Sequence, residues 1–275
     1  MTLETLKNIL QHYGLSPNKT YGQNFLMDET VLEDMIDVAG VGPDDIVVEV
    51  GPGIGNLTER LLKRASHVVS IEKDPQFLQV LQMLSKEFPN FSYHLNDVLT
   101  LNLADVLKEY SSYKVVANIP YYITGKIIQL FIRAEHRPES LTLLMQKEVA
   151  RNLTAKPGSL NLLAISVQLY ADVKLISIVP GFKFFPEPKV DSAVVHVTLH
   201  KEPRYEIGDE KKLFQVLRAC FSGKRKQLHN TLINNLHLEK KDVEGVLAEL
   251  KIDTTIRPQQ LMIEQWIELT KKLPL

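Results

Sequence analysis

From residue 45 to residue 146, short apolar runs alternate with segments whose apolar residues recur every three or four positions. The runs DIVVEV (45–50), HVVSIE (67–72), FSYHL (91–95), YKVVAN (113–118) and LTLLMQ (141–146) are of strand length and predict strands. Between them NLTERLLKRA (56–65), PQFLQVLQMLSKEF (75–88), LADVLKEY (103–110) and TGKIIQLFIRA (124–134) keep a helical period and predict amphipathic helices. Repeated strand–helix–strand units imply right-handed crossovers and a mostly parallel sheet with helices on both faces. The pattern is that of a doubly wound α/β domain.

The alternation ends near residue 147. EVARNLTA and LNLLAISVQLYA read as helices, whereas VKLISIVP (173–180) and SAVVHVTLH (192–200) are β-rich and joined through GFKFFPEPKVD. So short a link favours an antiparallel pair over another crossover, and the sheet is expected to end in a hairpin. Beyond the polar connector KEPRYEIGDE (201–210), the segments KKLFQVLRACF, KQLHNTLINNL, KDVEGVLAEL and PQQLMIEQWIELTKKL are all helical in period. This shift predicts an α/β domain over 1–200 and a small all-helical domain over 201–275.

Composition narrows the function. With 44% hydrophobic and 24% charged residues the chain is globular rather than disordered. A formal net charge of -1 excludes attraction to nucleic acid through bulk charge, so local clusters must carry any such role. Lys224-Arg225-Lys226 is the densest basic triplet. Cys220, the single cysteine, excludes an internal disulfide framework and any cysteine-rich zinc site, and the eight histidines show no metal-ligand spacing. No metal is expected. No apolar run reaches the roughly 20 residues of a membrane span, and the opening MTLETLKNILQHYG lacks a signal peptide's apolar stretch. A soluble, cytoplasmic protein is the expectation, with monomer the default.

The chemistry gathers at the ends of the predicted strands. VVEVGPGIGNLT places Gly51, Gly53 and Gly55 between the first strand and a helix, where a ligand approaches backbone. A dinucleotide fingerprint wants another glycine at the position of Asn56, which disfavours a dehydrogenase. The next strand ends in Glu72, an acceptor suited to two ribose hydroxyls, and the third in Asn96-Asp97, suited to an adenine amino group. A nucleoside cofactor without a diphosphate grip points to S-adenosylmethionine. The fourth strand ends in Asn118-Ile119-Pro120-Tyr121. An exocyclic aromatic amine is a poor nucleophile because its lone pair is delocalised; acceptors from Asn118 and the Ile119 carbonyl would localise it, and Tyr121 would stack on the base.

These residues carry a resemblance. Tyr21-Gly22-Gln23-Asn24-Phe25-Leu26, Glu49 to Thr58, Glu72-Lys73-Asp74, Asn118 to Tyr121, Gln146-Lys147-Glu148-Val149, Phe184 to Ser192 and Phe221 to Leu232 are together similar to the bacterial small-subunit ribosomal RNA adenine N6-dimethyltransferases, and they run through nearly the whole chain. The resemblance implies a Rossmann-like S-adenosylmethionine-dependent methyltransferase, with S-adenosylhomocysteine as product. Its substrate would be two adjacent adenosines near the 3' end of small-subunit rRNA, in a pre-ribosomal 30S particle. It also implies that Asn24, Leu26, Gly51, Gly53, Glu72, Asp97 and Asn118 hold the cofactor and that Asn118 and Tyr121 hold the target base. Phe184 would close over that base, with Phe182 and Phe185 as neighbouring alternatives. The helical domain, with Lys224, Arg225 and Lys226, would dock RNA. Antibiotic-resistance methyltransferases of the same fold, acting on large-subunit rRNA, are the alternative; the FSGKRKQLHNTL stretch and the Phe184-to-Ser192 segment favour the small-subunit family. One departure is KPGSLNLLAIS (156–166), more apolar than the family pattern.

Overall fold

The structure, a computed structural model, describes residues 1–223 and 226–275. Helix α1 (Leu3–His12), a 3-10 turn (Lys19–Tyr21), the two-residue strand β1 (Phe25–Leu26) and helix α2 (Glu29–Ala39) precede the alternating region. Helix α2 starts where the Asp28 side chain accepts from the Val31 N–H and stops at Gly40, which takes the left-handed conformation. There follow β2 (Ile46–Val50), α3 (Thr58–Leu62), β3 (His67–Glu72), α4 (Leu78–Glu87), β4 (Phe91–Leu95), α5 (Leu103–Leu107), β5 (Lys114–Asn118), α6 (Thr124–Arg133) and β6 (Ser140–Gln146). The chain continues through α7 (Lys147–Leu153), α8 (Leu162–Gln168), β7 (Ala171–Val179), β8 (Phe184–Phe185) and β9 (Ser192–Leu199). Four more helices complete it: α9 (Glu210–Phe221), α10 (Leu228–Leu236), α11 (Lys240–Glu249) and α12 (Ile263–Lys272).

The main sheet has the order β4-β3-β2-β5-β6-β9-β7. From β4 to β6 every pairing is parallel. Such strands are covered on both faces, which is why β2, β3 and β6 read as nearly continuous apolar runs. Strand β9 is antiparallel to both β6 and β7, so the sheet ends in the expected antiparallel pair. Strand order reverses between β2 and β5, and the carboxyl ends of these neighbours open a crevice.

Two compact units result: Met1–Arg151 with Ala171–Lys201, and Asn152–Tyr170 with Glu202–Leu275. The helical unit therefore does not begin at residue 201; it also takes residues 152–170 from within the expected α/β domain. The reason is packing. Leu160, Ala164, Ile165 and Leu169 are buried with Leu213, Leu217, Leu232 and Trp266 in one apolar cluster, so the apolar residues of the 156–166 stretch supply core from position 160 onward. Cys220 lies in the same cluster, fully buried, and burial pushes its thiol up to about 12. The predicted helix over 258–273 is interrupted: a 3-10 turn (Pro258–Gln260) is followed by extended Leu261, whose side chain is fully buried, and α12 begins afresh after Met262.

Candidate active site

A strap from residue 18 to residue 28 is tied to the turns that follow three strands of the sheet. The Gln23 amide donates to Asp74 after β3 at 2.7 Å, while its oxygen accepts from the Asn18 N–H at 2.8 Å. Asn56, after β2, donates to the Leu26 carbonyl at 3.0 Å, and Asn118, at the end of β5, donates to the Asn24 carbonyl at 3.3 Å. Strand β1 pairs antiparallel with β8, and Lys183 just before β8 bridges Asp28 at 2.6 Å. Strap and strand ends together line one cavity that opens to solvent. Its walls include Asn24, Leu26, Gly51, Glu72, Asp97 and Asn118. Every residue expected at the cofactor lines this one cavity, as do Asn118 and Tyr121 of the three expected at the base, whereas Phe184 does not.

The glycine turn owes its shape to backbone freedom. Gly51 and Gly53 have φ of +73° and +56°, in the region that side-chain-bearing residues avoid, and Phe25 of the strap packs where a Gly53 side chain would begin. The Gly53 N–H donates to Glu72 Oε2 at 3.1 Å and the Asp74 N–H to Oε1 at 2.8 Å. Glu72 thus fixes the turn while each oxygen keeps a lone pair for a ligand. Burial raises its pKa.

A second carboxylate, absent from the expected site, lies beneath. Glu49 sits in the apolar run of β2, 1% exposed, and its Oε2 accepts from Thr58 at 2.7 Å and Ser70 at 2.8 Å. Burial pushes its carboxyl up to about 7, against those two hydrogen bonds, and neighbouring Glu72 raises it further. Its sequence signal is an acid inside a strand otherwise buried on both faces. Because the folded pKa is raised, the folded state holds a proton that the unfolded chain releases. The associated stability is present below the usual carboxylate range and disappears as pH rises toward and through 7. The shift corresponds to roughly 3 kcal/mol. Glu49→Gln should therefore gain stability relative to the parent at pH 8 compared with pH 5. A difference in denaturation midpoint that does not change with pH would contradict this.

At the third strand end the Asp97 Oδ2 accepts from Lys73 at 2.8 Å and Oδ1 from the Leu99 N–H at 2.9 Å. The Lys73 hydrogen bond holds the Asp97 carboxyl below the usual range, so it stays an ionised acceptor. At the fourth, the Asn118 amide nitrogen is committed to the strap, which leaves Oδ1 without a protein donor among the described residues. The Tyr121 hydroxyl lies 2.7 Å from the Ser192 hydroxyl.

Phe184 is placed differently from expectation. It is 2% exposed, paired with Leu26 across the β1–β8 ladder and buried in the core, and does not line the cavity. An apolar ring facing inward from a two-residue ladder packs against the strap rather than over the opening. Phe185, its neighbour on the other face of β8, packs at the core margin, and Phe182 is 67% exposed. Of the basic triplet, Lys224 and Arg225 lie outside the described residues. Lys226 is exposed and shares a polar hollow of the helical unit with Asn230, Asn234 and Arg257. Sequence reasoning missed Glu49, Gln23, Lys73 and Ser192, each defined by a partner distant in sequence.

The donor set suits a nucleoside that carries positive charge. Two buried carboxylates, each with a raised pKa, face an otherwise largely apolar cavity, and a cation there would favour their ionised forms. Comparisons with known sequences show a family. A family model described as ribosomal RNA adenine dimethylase matches residues 14–273. A ribosomal RNA small subunit methyltransferase A from Dehalococcoides mccartyi is 39% identical over 263 residues, covering 96% of this chain and 90% of the relative. Among solved structures, a dimethyladenosine transferase from Plasmodium falciparum superposes with a TM-score of 0.76 at 26% identity, over 89% of this chain and 95% of that one. The 23S rRNA methyltransferase ErmE gives 0.72 at 28% identity, over 92% and 100%. Among the described residues no helix is long and apolar enough to cross a membrane.

Proposed function

The chain belongs to the ribosomal RNA adenine dimethylase family, and from that premise we propose that it methylates the N6 amines of two adjacent adenosines near the 3' end of small-subunit rRNA, within a 30S precursor particle. S-adenosylmethionine, when bound, supplies a methyl group on a cationic sulfonium. Glu72 would hold its ribose, Asp97 its adenine, and Gly51 with Gly53, Asn24 and Leu26 its methionine end and flanks. The observation that carries the reading is the Asn118 amide, which donates one N–H to the strap while its oxygen has no protein donor among the described residues.

Asn118 Oδ1 and the Ile119 carbonyl accept from the target amine and localise its lone pair. Half-buried Tyr121 keeps the flat base in one plane. After transfer the amine carries an acidic proton that leaves to water without a strong base, and the neutral monomethyl amine, with one N–H left, donates to one of the two acceptors for a second transfer. Phe184 is retained in this scheme as the ring that backs the strap behind Leu26. Lys73 keeps Asp97 ionised.

The test is incubation with labelled S-adenosylmethionine and, in parallel, unmethylated small-subunit particles or unmethylated large-subunit RNA, followed by nucleoside mapping. Dimethyladenosine at two adjacent positions is expected; label in large-subunit RNA alone would select the ErmE-like reading, and no label in either RNA would reject both. The small-subunit relative shares 39% identity over almost the entire chain, against 28% for ErmE, which favours the first outcome.

RNA attraction must come from local charge, because the chain as a whole is balanced. Replacing Lys224, Arg225 and Lys226 together by alanine should weaken particle binding and leave cofactor affinity intact. Every phosphate that the variant no longer neutralises should flatten the dependence of log affinity on log salt by roughly 0.7 to 0.9. A folded triple variant with the parent's affinity and slope would assign docking elsewhere.

A further inference from the structure

Ser192 ends the PKVDS stretch, and nothing in the proposed transfer yet uses it. It opens β9, in register with Gln146 of β6 on one side and Val179 of β7 on the other, and is 0% exposed. Its backbone is therefore set by the sheet on both flanks. Tyr121, by contrast, sits on a single 3-10 turn (Tyr121–Ile123) with no side-chain cap. The two hydroxyls meet at 2.7 Å across 71 residues of sequence.

Two buried hydroxyls of the helical unit are satisfied locally. Thr231 donates to the Leu228 carbonyl and Thr270 to the Trp266 carbonyl, each within its own helix. Ser192 instead engages a side chain of the cavity wall. We propose that Ser192 is a positioning residue for methyl transfer: its hydroxyl, held by the sheet, fixes the Tyr121 ring as the wall against which the target adenine stacks. The proposal rests on the reading of Tyr121 as a base-holding residue.

Two side-chain torsions orient a tyrosine ring, and a tether at the hydroxyl restricts both. A fixed ring plane keeps the base amine at a constant angle to Asn118, a condition for a near-attack geometry. The same hydrogen bond argues against Tyr121 as a proton carrier. Its hydroxyl is committed to Ser192, and burial raises its pKa, so the phenol stays neutral and serves through its ring.

A double-mutant cycle tests this with four full-length proteins: parent, Ser192→Ala, Tyr121→Phe and the double variant. Single-turnover methyl transfer to small-subunit particles and calorimetric affinity for S-adenosylhomocysteine are measured for each. Each single variant should be slower by about 3- to 10-fold, the scale of one hydrogen bond. The double variant should be no slower than the slower single one, and cofactor affinity should stay within about twofold, because both changes remove one shared interaction. Losses that multiply, a slow Ser192→Ala beside a normal Tyr121→Phe, single variants at the parent's rate, or weakened cofactor binding would each overturn the proposal. If Ser192→Ala does not fold, Ser192→Cys, which keeps the volume, replaces it in the cycle. A parent protein inactive on that RNA overturns the premise itself, and that control separates the two failures.

Discussion

Asn118→Ala lowers the single-turnover rate of methyl transfer by about 100-fold or more, the scale seen when one preorganised polar group at a reacting centre is removed. Its affinity for S-adenosylhomocysteine stays close to the parent's. The amide matters most when the amine's lone pair is being drawn out of the ring, so its loss falls on the rate and not on ground-state binding. Asn118 has a second task, because it also donates to the Asn24 carbonyl of the strap, a partly buried hydrogen bond. Asn118→Asp tests the division of labour, because it keeps the acceptor oxygen and discards the donor. A rate for Asn118→Ala equal to the parent's would remove the residue from the mechanism; a loss of cofactor affinity as large as the loss of rate would make it a strap residue only.

Glu72→Ala weakens cofactor binding by about 10- to 100-fold. A hydrogen bond to a charged acceptor is worth about 1.5 to 3 kcal/mol, so the net loss of one of the two ribose contacts already gives this range. The carboxylate also holds the Gly53 and Asp74 N–H groups, so alanine loosens the glycine turn as well. Glu72→Gln separates the two effects, since it keeps one acceptor and changes the volume little. Calorimetry on a folded Glu72→Ala protein that returned the parent's affinity would move the ribose elsewhere.

Local pattern was enough for most of the scaffold. The strands at 67–72 and 91–95 coincide with β3 and β4. Strand β4 is a partly buried edge strand of strand length, whereas β3, a parallel strand buried on both faces, is a run of apolar residues and needs no distant information to be recognised. The site residues at strand ends were legible for the same reason. Topology sends the carboxyl ends of neighbouring parallel strands to one edge, so Gly51, Glu72, Asp97 and Asn118 had to converge there.

What the sequence by itself determined, then, was the strand–helix alternation, the edge at which polar groups meet, and the chemistry those groups suit. Only the tertiary structure decided which atoms are already engaged. Gln23 with Asp74, Asn118 with Asn24 and Tyr121 with Ser192 are hydrogen bonds across 51, 94 and 71 residues, and no periodicity encodes such a pairing. The same holds for Phe184, turned into the core by its ladder with Leu26, and for residues 152–170, drawn into the helical unit by Leu160 and Ile165. Periodicity records which face of an element is apolar. Which other element that face meets is settled by the packing of the whole chain.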